Sequence, residues 1–222
     1  MSYRNHNTDE IVAATVRGCR IAVDATHNLI ELIDTASSGA FVEMRRCELE
    51  LDEIELCIDD SIAAAITRVS ETTARTLLAC LKMSTDVERI GDLLWWSAQR
   101  LKQELARHAI ARQDRAELRQ MAVVLEEMLV LIVDGFLSRH DASALEAMRK
   151  DTAMDDLRCK IFDRHLHGRN ARGHSTNVLL VAQAFERAGD HVKNLAESVL
   201  HLIAGQSMLH KAAGRLLEGQ RA

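Results

Sequence analysis

Acidic residues recur along this chain in four pairs whose members stand four positions apart. The pairs are Glu48 with Asp52, Glu88 with Asp92, Asp151 with Asp155, and Glu186 with Asp190. Positions at this spacing lie nearly one above the other on an α-helix, so each pair would set two carboxylates on one helical face. Carboxylate oxygens are ligands for hard cations. These eight residues are therefore the candidate metal ligands of the protein.

Apolar residues surround the pairs on the predicted helices. One face of the third helix runs through Leu77, Leu81, Ser84, Glu88, Asp92 and Trp95. Its carboxylates interrupt a stripe that is otherwise suited to burial. A buried carboxylate costs several kcal/mol, or stays protonated, unless something neutralises it. Because two such helices brought together would gather two pairs, we expect a counter-charge between them.

This counter-charge has two candidate sources. Arginines could form salt bridges with the pairs, and the candidates are Arg45, Arg46, Arg75, Arg149 and Arg158. We favour the alternative, a bound cation, because an oxygen-only ligand set suits Mg²⁺, Mn²⁺, Ca²⁺ or iron better than a zinc site with soft ligands. Gly91 and Gly189 lie inside two of the pairs, where the absence of a side chain would let the partner helix or the ion approach closely.

Composition predicts that helices position these groups. The chain has no proline and only 3% aromatic residues, and strong helix formers outnumber β-branched residues. Apolar residues recur at helical spacing almost throughout. We predict six helices, with a break at 37–39 and with Ser70 as the N-cap of the third. They span about 11–34, 40–67, 71–107, 114–137, 142–166 and 175–204, and the tail 206–222 has the pattern of one short amphipathic helix.

An internal repeat divides the chain into halves. Residues 48–52 correspond to residues 151–155, and residues 88–92 (Glu-Arg-Ile-Gly-Asp) correspond to residues 186–190 (Glu-Arg-Ala-Gly-Asp). The order and the approximate separation are the same in both halves. Short connections between helices favour antiparallel bundles. The sequence therefore predicts an all-α protein of two repeated antiparallel three-helix bundles, over 1–110 and 111–205, followed by the tail 206–222.

Charge and hydropathy argue against several classes of protein. No apolar run approaches the ~18 residues of a membrane span, and the N-terminus has no apolar signal-peptide core. The five cysteines form no C-x-x-C pair, which is typical of reduced thiols packed in a cytosolic protein. The net charge of −5 argues against a nucleic-acid partner. We expect a cytoplasmic protein with no membrane span and no nucleic-acid partner.

The repeated motifs resemble those of the PhoU family of phosphate-transport regulators. The resemblance rests on segments 86–92 and 185–191, with Leu81-Lys82-Met83-Ser84 as the lead-in to the first. It implies frequent homodimers and multinuclear metal clusters held by the acidic pairs, with iron first and Zn, Mn, Mg, Ni or Ca as alternatives. It also implies negative regulation of phosphate uptake and phosphate-starvation signalling, together with a phosphate ABC transporter and a sensor histidine kinase.

The chain departs from the pattern of this family after Asp92. Residues 93–97 include two tryptophans where the family has small residues and an asparagine, whereas the second half keeps Asn194 and Glu197. Trp95 would lie on the carboxylate face. It would either narrow the first site, so that fewer ions fit, or be an ordinary core residue beside it.

Two other functions share this helical, acidic pattern. A di-iron carboxylate enzyme needs Glu-x-x-His on two helices, but no glutamate of this chain has a histidine three positions later, and Asp24-x-x-His27 stands alone. An accessory subunit of another phosphate or metal permease would look the same in sequence. We predict a regulatory adaptor without enzymatic turnover.

A basic segment at 164–174 holds three arginines and three histidines. It has the composition of a solvated connecting loop. The alternative is a contact for an acidic partner, sensitive to pH through its histidines.

Overall fold

The computed structural model describes residues 8–107, 110–167 and 176–204. These residues form six α-helices and one short 3₁₀ turn at 66–68, and no strand occurs among them, so the predicted all-α class is confirmed. The helices are α1 (Thr8–Thr35), α2 (Ser38–Ala65), α3 (Glu71–Ala106), α4 (Arg112–Ser138), α5 (Asp141–His167) and α6 (Thr176–Ala204). Within this part of the chain no helix is both long and apolar enough to cross a bilayer. The helix predicted in the tail lies outside the described residues.

Side-chain caps and left-handed residues set the helix ends. Ser70 caps α3 as predicted, since its Oγ accepts a hydrogen bond from the backbone N–H of Thr73 at 3.2 Å. The break after α1 is shorter than predicted, because Ser38 and the residue after it already belong to the first turn of α2. Ala36 ends α1 with a φ of 55°, and Arg139 ends α4 with a φ of 51°. In each repeat, the connection between the first and second helices thus begins with a non-glycine residue in the left-handed conformation.

The six helices pack as two bundles of three. Helices α1, α2 and α3 contact one another, as do α4, α5 and α6, and the bundles meet mainly where α1 packs on α4 and α3 packs on α6. The two-repeat helical bundle predicted from the sequence is confirmed, while the bounds 1–110 and 111–205 stay a prediction. Helices α2 and α5 take little part in the contact between bundles.

The repeated motifs touch each other where α3 meets α6. Nδ1 of His191 lies 2.8 Å from Oδ1 of Asp86, and Nδ2 of Asn194 donates to the same oxygen at 3.2 Å. Both α6 residues follow the second acidic pair, and Asp86 precedes the first. Part of the motif in each half therefore serves the contact between repeats rather than a metal site.

Two glycines bring α3 and α6 close to their partner helices. A Cβ on Gly91 would lie 2.6 Å from Cδ1 of Leu51 on α2, and a Cβ on Gly189 would lie 3.3 Å from Oδ1 of Asp151 and 3.6 Å from Cγ of Met154 on α5. Of the two roles predicted for these glycines, the geometry favours close approach of the neighbouring helix. The acidic residues of each helix pair are brought near one another as a result.

A buried ionic group ties the end of α5 to the start of α4. The carboxylate of Asp114 is 2% exposed and accepts hydrogen bonds from Nε and Nη2 of Arg164, at 3.1 and 2.5 Å. Arg164 also binds Glu117, and Nε2 of His165 lies 3.1 Å from Asp114. The expectation of a loop is wrong for 164–167, which belong to α5. A contact of this segment with an acidic partner stays a prediction. Residues 168–174 lie outside the described part of the chain.

The predicted state of the cysteines is confirmed in part. All five are free thiols, and Cys19, Cys47 and Cys80 are buried in the core as predicted. Cys57 and Cys159 are exposed instead. The pattern of small hydrophobes therefore holds for three of the five positions.

Candidate metal centre

Three carboxylates converge in the first repeat. Asp52 reaches from α2, and Glu88 and Asp92 from successive turns of α3; one ligand oxygen of each lies within 4.8 Å of the other two. Leu51 packs against Gly91 directly beside them, which sets the distance between the two helices. This group is the one set of three or more metal-ligand side chains found at that spacing in the described residues.

Glu48, the fourth predicted ligand of this repeat, lies one turn before Asp52 on the same face of α2. Its Oε2 accepts a hydrogen bond from Nη1 of Arg45 at 2.5 Å. Burial raises the pKa of Glu48, Arg45 lowers it, and the nearby charges of Asp52 and Asp92 raise it again. Glu48 therefore borders the three converging carboxylates, but an arginine already meets its charge.

Arg89 provides the positive charge beside Glu88 and Asp92, at long distances. Nη1 of Arg89 donates a long hydrogen bond, 3.3 Å, to Asp92, and Nε of Arg89 lies 3.4 Å from Oε2 of Glu88. Among the described residues no donor makes a hydrogen bond to that buried Oε2. Burial, followed by the charge of Asp92, raises the pKa of Glu88 to about 7. Burial and Asp92 likewise raise the pKa of Asp52.

Glu55 is a further acidic residue of this cluster that the predicted ligand set left out. It follows Asp52 on α2 and is half-buried, and its charge contributes to the raised pKa of Glu88. The sequence carried a signal for it, because Glu55 stands on the helical face shared by Glu48 and Asp52.

The ring of Trp95 packs beside the cluster. Its ring centroid lies 4.8 Å from that of Phe41, and the guanidinium carbon of Arg45 lies 5.4 Å from the Trp95 ring. Trp95 thus helps to hold the arginine that binds Glu48. On its other side it borders an open groove of about 550 Å³ that also includes Asp92 and Arg187. Whether Trp95 limits the number of bound ions stays a prediction.

The second repeat assembles its four predicted ligands differently. Asp151 is buried and Glu186 half-buried, whereas Asp155 and Asp190 are exposed. Nζ of Lys193 lies 2.7 Å from Oδ2 of Asp151 and 2.6 Å from Oδ1 of Asp190.

Glu186, a further acidic residue of this cluster, also has polar and basic side chains beside it. Nε2 of Gln183 donates to Oε2 of Glu186 at 2.6 Å. Burial raises the pKa of Glu186, with the charges of Asp190 and Asp155 adding to the effect and Arg158 opposing it. The acidic groups of the second repeat are thus near one another, but polar and basic side chains of the same chain already contact them.

The first cluster fits a hard cation. Asp52, Glu88 and Asp92 supply oxygen ligands on two fixed helices, and the buried Oε2 of Glu88 has Arg89 3.4 Å away but accepts no hydrogen bond from the described residues. Oxygen ligands favour Mg²⁺, Mn²⁺, Ca²⁺ or iron. A cation held there would neutralise carboxylates that otherwise repel one another across the contact of α2 with α3.

Both halves of the chain match one family model. The model describes the PhoU domain, and it matches residues 15–101 and residues 118–199. Together the two matches cover more than half of the chain, and each of them includes one complete set of acidic pairs.

Known relatives resemble the chain over most of its length. It is 27% identical over 203 residues to a phosphate-specific transport system accessory protein PhoU homolog of Pseudomonas aeruginosa, covering 88% of this chain and 81% of the relative. It is 24% identical over 199 residues to PhoU homolog 1 of Thermotoga maritima, covering 83% and 82%.

Solved structures share the fold. PhoU from Pseudomonas aeruginosa superposes with a TM-score of 0.79 at 21% identity, over 89% of this chain and 97% of that structure. The phosphate transport system regulatory protein PhoU from Streptococcus pneumoniae gives a TM-score of 0.75 at 16% identity, over 90% and 96%.

Proposed function

The chain belongs to the PhoU family, and from this premise we propose that it is a metal-binding regulatory adaptor that restrains phosphate uptake and phosphate-starvation signalling. It acts in the cytoplasm as a homodimer, together with a phosphate ABC transporter and a sensor histidine kinase. The match of the PhoU domain model to both repeats carries the proposal. Relatives across most of the chain length are phosphate-specific transport system accessory proteins, which supports the same role.

A metal in the first repeat is the second part of the proposal. Asp52, Glu88 and Asp92 hold it, with Glu48 and Glu55 beside them. Iron is the metal that we propose first, with other hard divalent cations able to use the same oxygens. The bound cation supplies charge neutralisation. The protein itself supplies two helices whose spacing Leu51 and Gly91 fix, so that the site and the contact of α2 with α3 form together.

An adaptor role fits the surfaces of the described residues. Glu88, the carboxylate whose pKa is raised to about 7, lies in the proposed metal cluster, and long helices present broad faces for protein partners. Exposed apolar side chains on the outer face of α2, at Val42, Leu49 and Leu56, recur at intervals of seven residues. Such a stripe is typical of helix contacts with another protein.

The function is tested in a strain that lacks the gene. We expect deletion to raise phosphate uptake and starvation-gene expression while external phosphate is plentiful, and the wild-type gene to restore repression. The double variant Glu88→Gln/Asp92→Asn should restore it poorly. Asp60→Asn serves as the matched control, because Asp60 is an exposed acidic residue of α2 outside the cluster. It should behave as wild type.

Two outcomes would redirect the assignment. Unchanged phosphate signalling in the deletion strain would overturn the regulatory role and favour an accessory subunit of another phosphate or metal permease. Oxygen consumption by the purified protein with reduced iron, lost in Glu88→Gln/Asp92→Asn, would instead support a di-iron carboxylate enzyme.

A further inference from the structure

The two repeats differ in charge at two equivalent positions beside their acidic clusters. Seven residues after the first acid of the α2 pair stands Glu55, whereas the equivalent residue of α5 is Arg158. Seven residues after the glutamate of the α3 pair stands Trp95, whereas the equivalent residue of α6 is Lys193. The first cluster therefore has a carboxylate and a neutral ring at the two positions where the second cluster has cationic side chains.

Lys193 binds both helices of the second cluster. Its ammonium group lies 2.7 Å from Asp151 on α5 and 2.6 Å from Asp190 on α6. The side chain is 32% exposed and that of Asp151 is 12% exposed, so solvent screens this contact only in part.

The first cluster has no such group. The residue equivalent to Lys193 is Trp95, which carries no charge, and the buried Oε2 of Glu88 accepts no hydrogen bond from the described residues. Arg45 serves Glu48 at the edge of the cluster, and Arg89 reaches Asp92 at 3.3 Å. Among the described residues, Arg45 pairs with an acid of α2 and Arg89 with acids of α3, whereas Lys193 pairs with acids of both α5 and α6.

We propose that Lys193 is a built-in counter-ion that takes the place of a metal in the second repeat, so that metal binding is confined to the first. An ammonium group and a metal cation compete for the same carboxylate oxygens, and each repels the other at close range. To bind Oδ2 of Asp151 and Oδ1 of Asp190, a cation would have to displace Lys193 from both. The proposal rests on the proposed function only in that it takes the first repeat as the metal site.

This assignment gives the second cluster a different task. The Lys193 bridge joins α5 to α6 without any ion, so the second repeat keeps its helix contact under conditions in which metal is scarce. The first repeat lacks this bridge, so a bound cation would add to the packing of Leu51 on Gly91 that joins α2 to α3. A fall in available metal would therefore loosen one repeat of the protein and leave the other unchanged.

The test is a titration of the metal-free full chain with Mn²⁺. Calorimetry measures the binding, and the metal that the protein retains after desalting is then determined. Wild type should bind Mn²⁺ through the first repeat, so that Glu88→Gln/Asp92→Asn loses binding and Asp190→Asn keeps it. Lys193→Gln should bind more Mn²⁺ than wild type, and the added variant Asp190→Asn should remove the excess. Mn²⁺ should also raise the midpoint of thermal unfolding more in Lys193→Gln than in wild type.

Lys150→Gln is the matched control. Lys150 has the same side-chain exposure as Lys193, 32%, and a 2.7 Å ion pair with Glu127 on the neighbouring helix, but it lies outside the acidic cluster. It should bind the same amount of Mn²⁺ as wild type.

Specific results would overturn the proposal. Loss of Mn²⁺ in Asp190→Asn would place metal in the wild-type second repeat, and this arm remains decisive even if Lys193→Gln does not fold. Equal Mn²⁺ binding by Lys193→Gln, Lys150→Gln and wild type would show that Lys193 does not block a site. Extra binding in Lys193→Gln, with no binding attributable to Glu88 and Asp92, would support the role of Lys193 while contradicting the metal site proposed for the first repeat.

Discussion

Glu88 and Asp92 lie one turn apart on α3, and their carboxylates contribute to one cluster in which Oε2 of Glu88 accepts no hydrogen bond from the described residues. Burial and then the charge of Asp92 raise the pKa of Glu88 in the folded protein from 4.5 to about 7. The folded state thus binds this proton more tightly than the unfolded chain does. The resulting stability is fully present below the unfolded value and is lost as the pH rises through about 7.

For metal-free protein we therefore expect the free energy of unfolding to fall by about 1–2 kcal/mol between about pH 5 and about pH 8, after allowance for screening by solvent. Urea denaturation across this range measures the fall. In Glu88→Gln that part of the pH dependence should disappear, because glutamine does not titrate. A slope that is the same in Glu88→Gln and wild type would contradict the assignment.

Removal of metal should destabilise the protein through the first repeat. At about pH 8 a chelator leaves the carboxylates of Asp52, Glu88 and Asp92 without their counter-charge, and we expect the Tm to fall by about 2–4 °C for each kcal/mol lost. Asp92→Asn should lose most of this response. Asp190→Asn, at the equivalent position of the second repeat, should keep it. Calorimetry with and without chelator measures the difference, and equal responses in the two variants would contradict it.

Mutation of the buried ionic group between α4 and α5 should destabilise the protein far more than mutation of an ordinary surface ion pair. Arg164→Ala leaves the buried carboxylate of Asp114 with His165 as its remaining basic partner among the described contacts, so we expect the free energy of unfolding to fall by about 2–4 kcal/mol. Arg149→Ala breaks an exposed 2.9 Å pair with Glu146 and should cost at most about 0.5 kcal/mol. Urea denaturation compares the two, and similar losses would show that the buried group adds no stability.

Local signals explain why most of the fold could be predicted. Helix periodicity, the absence of proline and the cap at Ser70 depend on residues close together in the chain. The internal repeat then predicted that the chain forms two bundles. Side-chain pairing between helices was harder, because it depends on rotation and register. Asp114 and Arg164 are 50 positions apart, and neither helical spacing nor composition indicates that they pair.

The same reasoning explains which part of the candidate site could be predicted. The acidic pairs were visible because their spacing is a property of one helix, and Asp52, Glu88 and Asp92 converge as expected. The role of Lys193 was not visible, because a lysine three positions after Asp190 can point toward either solvent or the neighbouring helix. Alignment of the sequences of the two halves gives the missing signal, because Lys193 then occupies the position that corresponds to Trp95.

Replacement of Ala36 by glycine should stabilise the protein. Ala36 has a φ of 55°, a conformation in which a Cβ costs about 1–2 kcal/mol and glycine is unstrained. The greater freedom of glycine in the unfolded chain offsets part of the gain, so we expect a net increase of about 0.5–1 kcal/mol in the free energy of unfolding. Ala13→Gly is the matched control: Ala13 is an exposed residue inside α1, where glycine should cost about 1 kcal/mol. Urea denaturation should therefore give opposite signs for the two alanines, and a loss of stability in both would mean that the left-handed turn after α1 is not strained by its side chain.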